Sequence, residues 1–357
     1  MKRILHTVLI FVASCTTSFA QIQLNHLDLS VTGGTTGLGF DLAAPINDKF
    51  RVRIGASFLP THQKHMIFDT EVGDYNPALT PEQNAQQSAE KFQKLSSAFS
   101  GIAGETIDKE IDILGERSFN NFKLLVDYYP FKNNKHWHLT AGFYWGSSTF
   151  AKAYNTATCM TELMAVTMYN NMRKSAMAEE PLITYNNLSV YLPYTFNSDI
   201  VEYGDMSIVL GKYSHDIYAK EDILWDFDAL DPISGAILHE KGDIRYAKGD
   251  LIHKAGDPYQ MLPDEDNMVK VTAKTNSFRP YLGMGYETSL TKDKRTSISV
   301  NAGILLWGGS PEITTHEGIN VKKDLMDLKG KFADNVNSLS HLNVYPVFTL
   351  RLTRRLF

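Results

Sequence analysis

The 357-residue chain carries 35 Lys+Arg against 40 Asp+Glu, a net charge of −5, which argues against nucleic acid as a partner. Its two cysteines, Cys15 and Cys159, are too few for a cysteine metal cluster. A mean hydropathy of −0.22 fits a soluble secreted protein, and equally a barrel whose strands hide half their residues in a polar lumen.

Lys2 and Arg3 form a short basic region, Ile4 to Ala13 an apolar stretch, and Ser18-Phe19-Ala20 places small residues where a signal peptidase reads. Residues 1–20 are therefore expected to be a secretory signal peptide. Val12-Ala13-Ser14-Cys15 offers a competing lipoprotein box, although a barrel already held in its membrane needs no lipid anchor. Cleavage after Ala20 would leave 33 Lys+Arg against 40 Asp+Glu, a net of −7, with Cys159 alone and so no internal disulfide. No later stretch approaches the ~18 consecutive apolar residues of a transmembrane helix.

Alternation with period two then dominates. Leu27-Asp28-Leu29-Ser30-Val31-Thr32 runs into Gly33-Gly34, and Leu38, Phe40 and Leu42 alternate with Gly37, Gly39 and Asp41. Across the turn Pro45-Ile46-Asn47-Asp48, the run from Phe50 to Phe58 sets Phe, Val, Ile, Ala and Phe on one face and Arg51, Arg53, Gly55 and Ser57 on the other. Phe122 to Tyr128, the turn from Pro130 to Asn134, and His136 to Trp145 repeat the device. Phe278 to Tyr286 and Ser297 to Leu306 do so again around Thr291-Lys292-Asp293-Lys294, and Val344 to Phe357 closes the chain. That predicts eight strands with short turns on one side and long inserts, 62–117, 149–276 and 308–341, on the other. A soluble β-sandwich also alternates, but it rarely gathers such long connections at one end. Aromatics near strand ends (Tyr128, Tyr129, Trp137, Trp145, Tyr286, Trp307, Tyr345, Phe357) read as membrane-interface girdles.

Gly37-Leu38-Gly39-Phe40, Val126-Asp127-Tyr128-Tyr129-Pro130-Phe131, Pro280-Tyr281-Leu282-Gly283-Met284-Gly285 and the terminal Phe357 give the chain its resemblance to small, eight-stranded, opacity-protein-like outer-membrane barrels. The resemblance implies an all-β membrane protein, an antiparallel transmembrane barrel over 21–357, in the outer membrane of a Gram-negative cell. It covers strands and turns only, and Phe357 departs from it by alternating with Leu350, Leu352 and Leu356. Outer-membrane lipids, the barrel-assembly machinery during biogenesis and an extracellular ligand are the partners it implies.

The lumen-facing set is ionic: Asp28, Asp41, Arg51, Arg53, Lys123, Asp127, Arg279, Glu287 and Arg351, with His136, His138 and Arg355 toward a rim. Eight strands leave an interior filled by side chains, so these charges are expected to pair. His136 and His138 are read as rim histidines before a metal pair.

The insert 149–276 holds 19 Asp+Glu against 11 Lys+Arg. Gly242-Asp243, Gly249-Asp250 and Gly256-Asp257 recur every seven residues, predicting a small β-meander in a folded cap. Asp226, Asp228 and Asp231, and Asp264-Glu265-Asp266, read as solvated turns before Ca²⁺ sites. Met160, Met164, Met168 and Met172 sit on a helix expected over 157–177, as packing filler before Cu(I) ligands. Thr80-Pro81-Glu82-Gln83 is a capping box ahead of Ala85, Ala89, Phe92, Leu95, Phe99 and Ile102 at helical spacing. Val321, Leu325, Leu328, Phe332, Val336 and Leu339 predict another helix. All three helices are expected to pack with the acidic insert into one cap.

Nucleophile elbows, phosphate loops and zinc motifs are absent from the sequence. The expectation is a surface protein presenting an extracellular cap, without enzymatic activity, cofactor or metal. The alternatives are a passive channel, should Leu188–Tyr194 and Ser207–Tyr213 widen the barrel, or a lipid-modifying enzyme using His62, His65, Asp69 and Ser57.

Overall fold

The computed structural model describes residues 26–73, 76, 78–103, 108–131, 134–156, 160–178, 183–185, 188–190, 200–230 and 236–356. The signal sequence, Cys159, Asp231 and Phe357 lie outside them, as does most of Leu188–Tyr194.

The first strands in chain order are β1 (Asp28–Gly34), β2 (Gly37–Pro45), β3 (Phe50–Phe58), β4 (Gln63–Val72), β5 (Glu110–Arg117), β6 (Asn121–Tyr128), β7 (Trp137–Gly146) and β8 (Thr149–Asn155). There follow β9 (Met206–Tyr213), β10 (Pro258–Met261), β11 (Lys270–Lys274), β12 (Phe278–Ser289), β13 (Thr296–Leu305), β14 (Glu312–Thr315) and β15 (Tyr345–Arg355). Eight of them, β1-β2-β3-β6-β7-β12-β13-β15, close into an antiparallel barrel, with Asp28 opposite Arg355 at the seam. The Gly33-Gly34 region is a hairpin: Gly34 faces Gly37, whose φ of 89° lets the chain reverse there.

Alternation translates directly into two faces. Ile54, Leu139, Leu282, Val300, Leu350 and Leu352 point outward and are exposed, whereas Arg53, His138, Ser299 and Arg351 point inward and are buried. Exposed aromatics gather in two bands, Phe58, Phe122, Trp145 and Phe278 at one end and Phe50, Trp137 and Tyr286 at the other. Trp137 and Trp145 bound β7, about 26 Å apart along the strand at the usual rise. Strand tilt reduces that to about 20 Å, close to the apolar band of an outer-membrane barrel. Among the described residues no helix is long and apolar enough to cross a membrane.

The long inserts are not loops at their bases. Beyond the rim, β3 continues into β4, β7 into β8 and β13 into β14, while β5 and β11 lead down into β6 and β12. The upper sheet, β10-β9-β4-β5-β8-β11-β14, keeps the neighbour order of the barrel strands below it. Five of the eight barrel strands thus extend the wall on one side. Its core holds Met66, Ile113, Val271 and Ile313 against Phe332 and Val336.

Helix α1 (Pro81–Ala103) opens with the expected box: Gln83 N donates to Thr80 Oγ1 at 3.3 Å and Thr80 N to Gln83 Oε1 at 2.9 Å. Its buried stripe is Ser88, Phe92 and Leu95, while Ala85 and Ala89 are not part of it; the side chains of Phe99 and Ile102 lie outside the described set. It shares a core with α2 (Met160–Met177) through Val166, Tyr169 and Met172. Helix α3 (Gly330–Ser340) packs separately, against the extended wall. The three helices therefore enter two cores, not one cap. The helix expected from Val321 to Leu339 is broken: Val321–Asp324 forms one turn, Leu325–Met326 pairs with β9, and Asp327 and Gly330 take positive φ.

The expected meander is a two-stranded ribbon, since its short strands pair two by two: Ile217–Tyr218 with Leu251–His253, Ile223–Leu224 with Ile244–Tyr246, and Ala229–Leu230 with Ile237–His239. Gly256, Gly249 and Gly242 donate backbone bonds to Tyr213, Ala219 and Trp225. The returning strand therefore advances seven residues for every six outgoing, one bulge per step. At each step an aspartate closes the turn: Asp243, Asp250 and Asp257 accept from the backbone three residues earlier. Asp228, Asp222 and Asp216 reach across from the outgoing strand to Lys241, Lys248 and Ala255. The Gly-Asp repeat is half of a paired rule.

Candidate functional site: a filled lumen beneath an extended wall

Four cations and four carboxylates occupy the lower lumen, because each falls at an inward position of its strand. Arg53 lies 3.5 Å from Asp41 and 2.7 Å from Asp127, and Lys123 sits 2.7 Å from Asp41. Arg51 reaches Glu287 at 2.7 Å, Asp127 at 3.2 Å and Asp28 at 3.8 Å. Arg351 reaches Glu287 at 3.2 Å and Asp127 at 3.7 Å. Burial of one sign alone would cost several kcal/mol per ion, so equal numbers in contact are the arrangement a filled interior needs.

Arg279 stands apart, which corrects its place in the expected network. Its guanidinium donates to Asn121 Oδ1 and the Ser147 carbonyl, both at 2.5 Å, and to Thr275 Oγ1 at 3.2 Å, and it lies 4.8 Å over the Phe119 ring. The reason is height: Arg279 is one residue from the upper end of β12, whereas the carboxylates cluster toward the other rim. His136 is exposed, bonding to the Glu287 carbonyl and stacking on Tyr286, while buried His138 bonds to Asn301 at 2.8 Å. The two do not converge on a common point.

Above the ions the lumen is aromatic. Trp307, 1 % exposed, meets Phe150 at 5.2 Å and Tyr345 at 5.1 Å between ring centres, and Phe119 meets both of those rings. Leu125, Tyr144, Tyr281 and Val347 complete this layer. Leu125 and Tyr144 sit at inward positions of the alternation, but the expected girdle is corrected at Trp307 and Tyr345, which turn into this layer: Trp307 lies past the end of β13 and its indole N–H donates to the Leu342 carbonyl at 2.9 Å.

On top of the aromatic layer lies a cavity of about 620 Å³, open on one side, between the extended wall and α3. Its wall is made of Met66, Gly115, Ala151, Ala153, Val271, Ala273 and Ile313, its helix side of Phe332, Val336 and Leu339, and its floor of Phe150 and Tyr345. A second recess, of about 590 Å³, opens at the opposite rim beside Asp28, Arg51, His136 and Glu287.

The other chemical candidates are occupied otherwise. Asp226 pairs with Lys174 at 2.5 Å, Asp228 accepts from the Lys241 backbone, and Asp264 pairs with Lys270 at 2.7 Å. Among the described residues no three His, Cys, Asp or Glu side chains are grouped to hold a metal. Met164 and Met168 are exposed while Met172 is buried, so they face apart; the Met160 side chain lies outside the described set. His65 Nδ1 lies 2.5 Å from Asp112, exposed on β4, whereas Ser57 is buried on the lumen side of β3 and Asp69 pairs with Lys109. In the upper sheet, burial and then the Glu317 carboxylate push the Tyr259 phenol upward, keeping it a donor to Glu317 at 2.5 Å.

Neither a protein-family model nor a curated protein matches the chain. Among solved structures it is similar to Acinetobacter baumannii CarO2, at 9 % identity over 93 % of this chain and 99 % of that one, with a TM-score of 0.35. CarO of the same organism gives 11 % identity, 93 % and 98 % coverage and 0.33. A major outer membrane protein from Thermus thermophilus gives 10 %, 92 % and 98 %, and 0.25. The class follows from the chain's own surface. A closed ring of strands satisfies every ladder hydrogen bond internally, with an apolar band outside and ions within, and that is a membrane-spanning β-barrel of the outer-membrane kind.

Proposed function

We propose that the chain is an integral outer-membrane protein of a Gram-negative cell, exported by its N-terminal signal, whose barrel is a closed anchor for an extracellular binding surface. One observation carries this reading: the lumen is filled, by paired ions and then by aromatic rings, while elaborate structure stands on one side only. A conduit needs a continuous polar path, and Trp307, Arg279 and Arg351 are each at most 1 % exposed. In barrels of this kind short turns face the periplasm and long connections face outward, which puts the extended wall, helices and ribbon on the cell surface. The role is binding or display in place of catalysis, and no cofactor is called for.

The test is labelling of intact cells with a membrane-impermeant maleimide, in a Cys159→Ser background. Lys248→Cys in the ribbon should label and Lys292→Cys in the β12–β13 turn should not. Labelling of Lys292→Cys alone would invert the topology and overturn the display reading.

A further inference from the structure

The cavity above the aromatic layer is shaped by the residues around it. Ala151 and Ala153 on β8 and Ala273 on β11 line it with methyl groups only, between the larger Met66, Val271 and Ile313 of the same wall, while Phe332, Val336 and Leu339 line it from α3. Here about 620 Å³ stays open, within the range of small-molecule sites.

Its margin has the opposite chemistry. Lys64, Arg117, Lys152 and His62 line it with a single carboxylate, Glu116, which already accepts a bond from Tyr154 OH at 2.9 Å. Lys64 Nζ is 3.3 Å from Asn335 Oδ1, tying the margin to α3. Both inserts that meet here are acidic, 62–117 with 10 Asp+Glu to 5 Lys+Arg and 149–276 with 19 to 11, so a basic margin reverses the local charge. Position adds a third constraint. Lys64 is six residues beyond Phe58, a member of the aromatic band, at most about 20 Å further along the chain at the usual rise, so the opening stands above the bilayer surface on the side of the inserts.

We infer that this cavity binds a single-chain anionic amphiphile of the fatty-acid class, its tail among the alanines and α3 and its carboxylate at Lys64 and Arg117. The inference goes beyond the display reading and does not need it. A lipid with several chains exceeds what a drug-sized site holds.

The experiment uses the full mature protein, delipidated and held in amphipol, with palmitate, hexadecanol and a two-chain phosphatidylglycerol as probes and native mass spectrometry as readout. Palmitate should bind roughly tenfold more tightly than hexadecanol, the difference a charge-assisted carboxylate contact makes. Lys64→Gln with Arg117→Gln should abolish that preference while hexadecanol binding persists. Ala153→Phe, which fills the cavity, should abolish both, and phosphatidylglycerol should not compete. Equal affinity for palmitate and hexadecanol, undiminished binding in Ala153→Phe, or effective competition by phosphatidylglycerol would each overturn the inference. Should Ala153→Phe fail to fold, as judged by near-ultraviolet dichroism, the two margin substitutions decide it.

Discussion

Arg51 Nη2 lies 2.7 Å from Glu287 Oε2, joining β3 to β12 across 236 residues of chain. Arg351 of β15 reaches the same oxygen at 3.2 Å, so one carboxylate ties three strands together inside the barrel. Glu287→Gln would leave two buried guanidiniums short of charge. The expected loss is about 3–5 kcal/mol, read from denaturant unfolding in lipid vesicles. A loss below about 1 kcal/mol, the level of an exposed ion pair, would show that the lower lumen is wet.

The outward face makes a different demand. Val300 is 62 % exposed near the middle of β13, while its neighbour Ser299 is 2 % exposed and accepts from Arg351 Nε at 2.9 Å. Val300→Arg should destabilise the inserted barrel by about 2–4 kcal/mol. Ser299→Ala loses two buried hydrogen bonds, the second accepted from Asn301 Nδ2 at 3.3 Å, about 1–2 kcal/mol. Equal effects from the two would contradict the facing of β13.

The ribbon should respond to its turn chemistry. Gly249 has φ +95° and its N–H bonds to the Ala219 carbonyl, while Asp250 caps the Ala247 N–H at 2.9 Å. Gly249→Ala is expected to cost about 1–2 kcal/mol of local stability through the positive φ. Amide exchange across 241–257 should then accelerate, with the barrel unaffected. Exchange complete within seconds in the unmutated protein would mean that the ribbon is not a folded element.

The barrel strands were legible because one face of each meets lipid and the other a filled interior, so Phe50 to Phe58 and Ser297 to Leu305 follow one alternating pattern. The upper wall was not. β4 begins Gln63-Lys64-His65, polar on both faces, because neither face is yet buried at the rim. The ribbon was half legible: Gly-Asp announces turns, but paired strands of two and three residues are too short to alternate. Within the lumen set, period two assigns a residue's face and not its height, which is why Arg279 was grouped with ions that lie below it. Asp-Leu-Lys-Gly at 327–330 did carry a signal for the break before α3, in the glycine that takes φ +56°.

Acidification should loosen the base of the ribbon. His253 stacks on Tyr213 at 4.5 Å, and its pKa is lowered first by burial and then by Arg245, against an opposing pull from Asp257. A depressed imidazole pKa means the unfolded segment takes up the proton first, so this contribution is complete above the ordinary value near 6.5 and is lost as pH falls through the folded value. Amide protection around 251–257, corrected for intrinsic rates, should drop as the pH is lowered from about 7.5 to about 5.5. His253→Gln should flatten that dependence. A pH-independent profile in the unmutated protein would remove His253 from the account.

The central claim is that the barrel is sealed by its own side chains, and conductance across a planar bilayer tests it most directly. Purified protein inserted in one orientation should give no discrete current steps in molar salt at moderate voltage, since the ionic layer of Arg51, Arg53, Asp127, Glu287 and Arg351 and the aromatic layer around Trp307 fill the lumen with packed side chains. Reproducible single-channel steps from the unmutated protein would contradict it and make the barrel a channel.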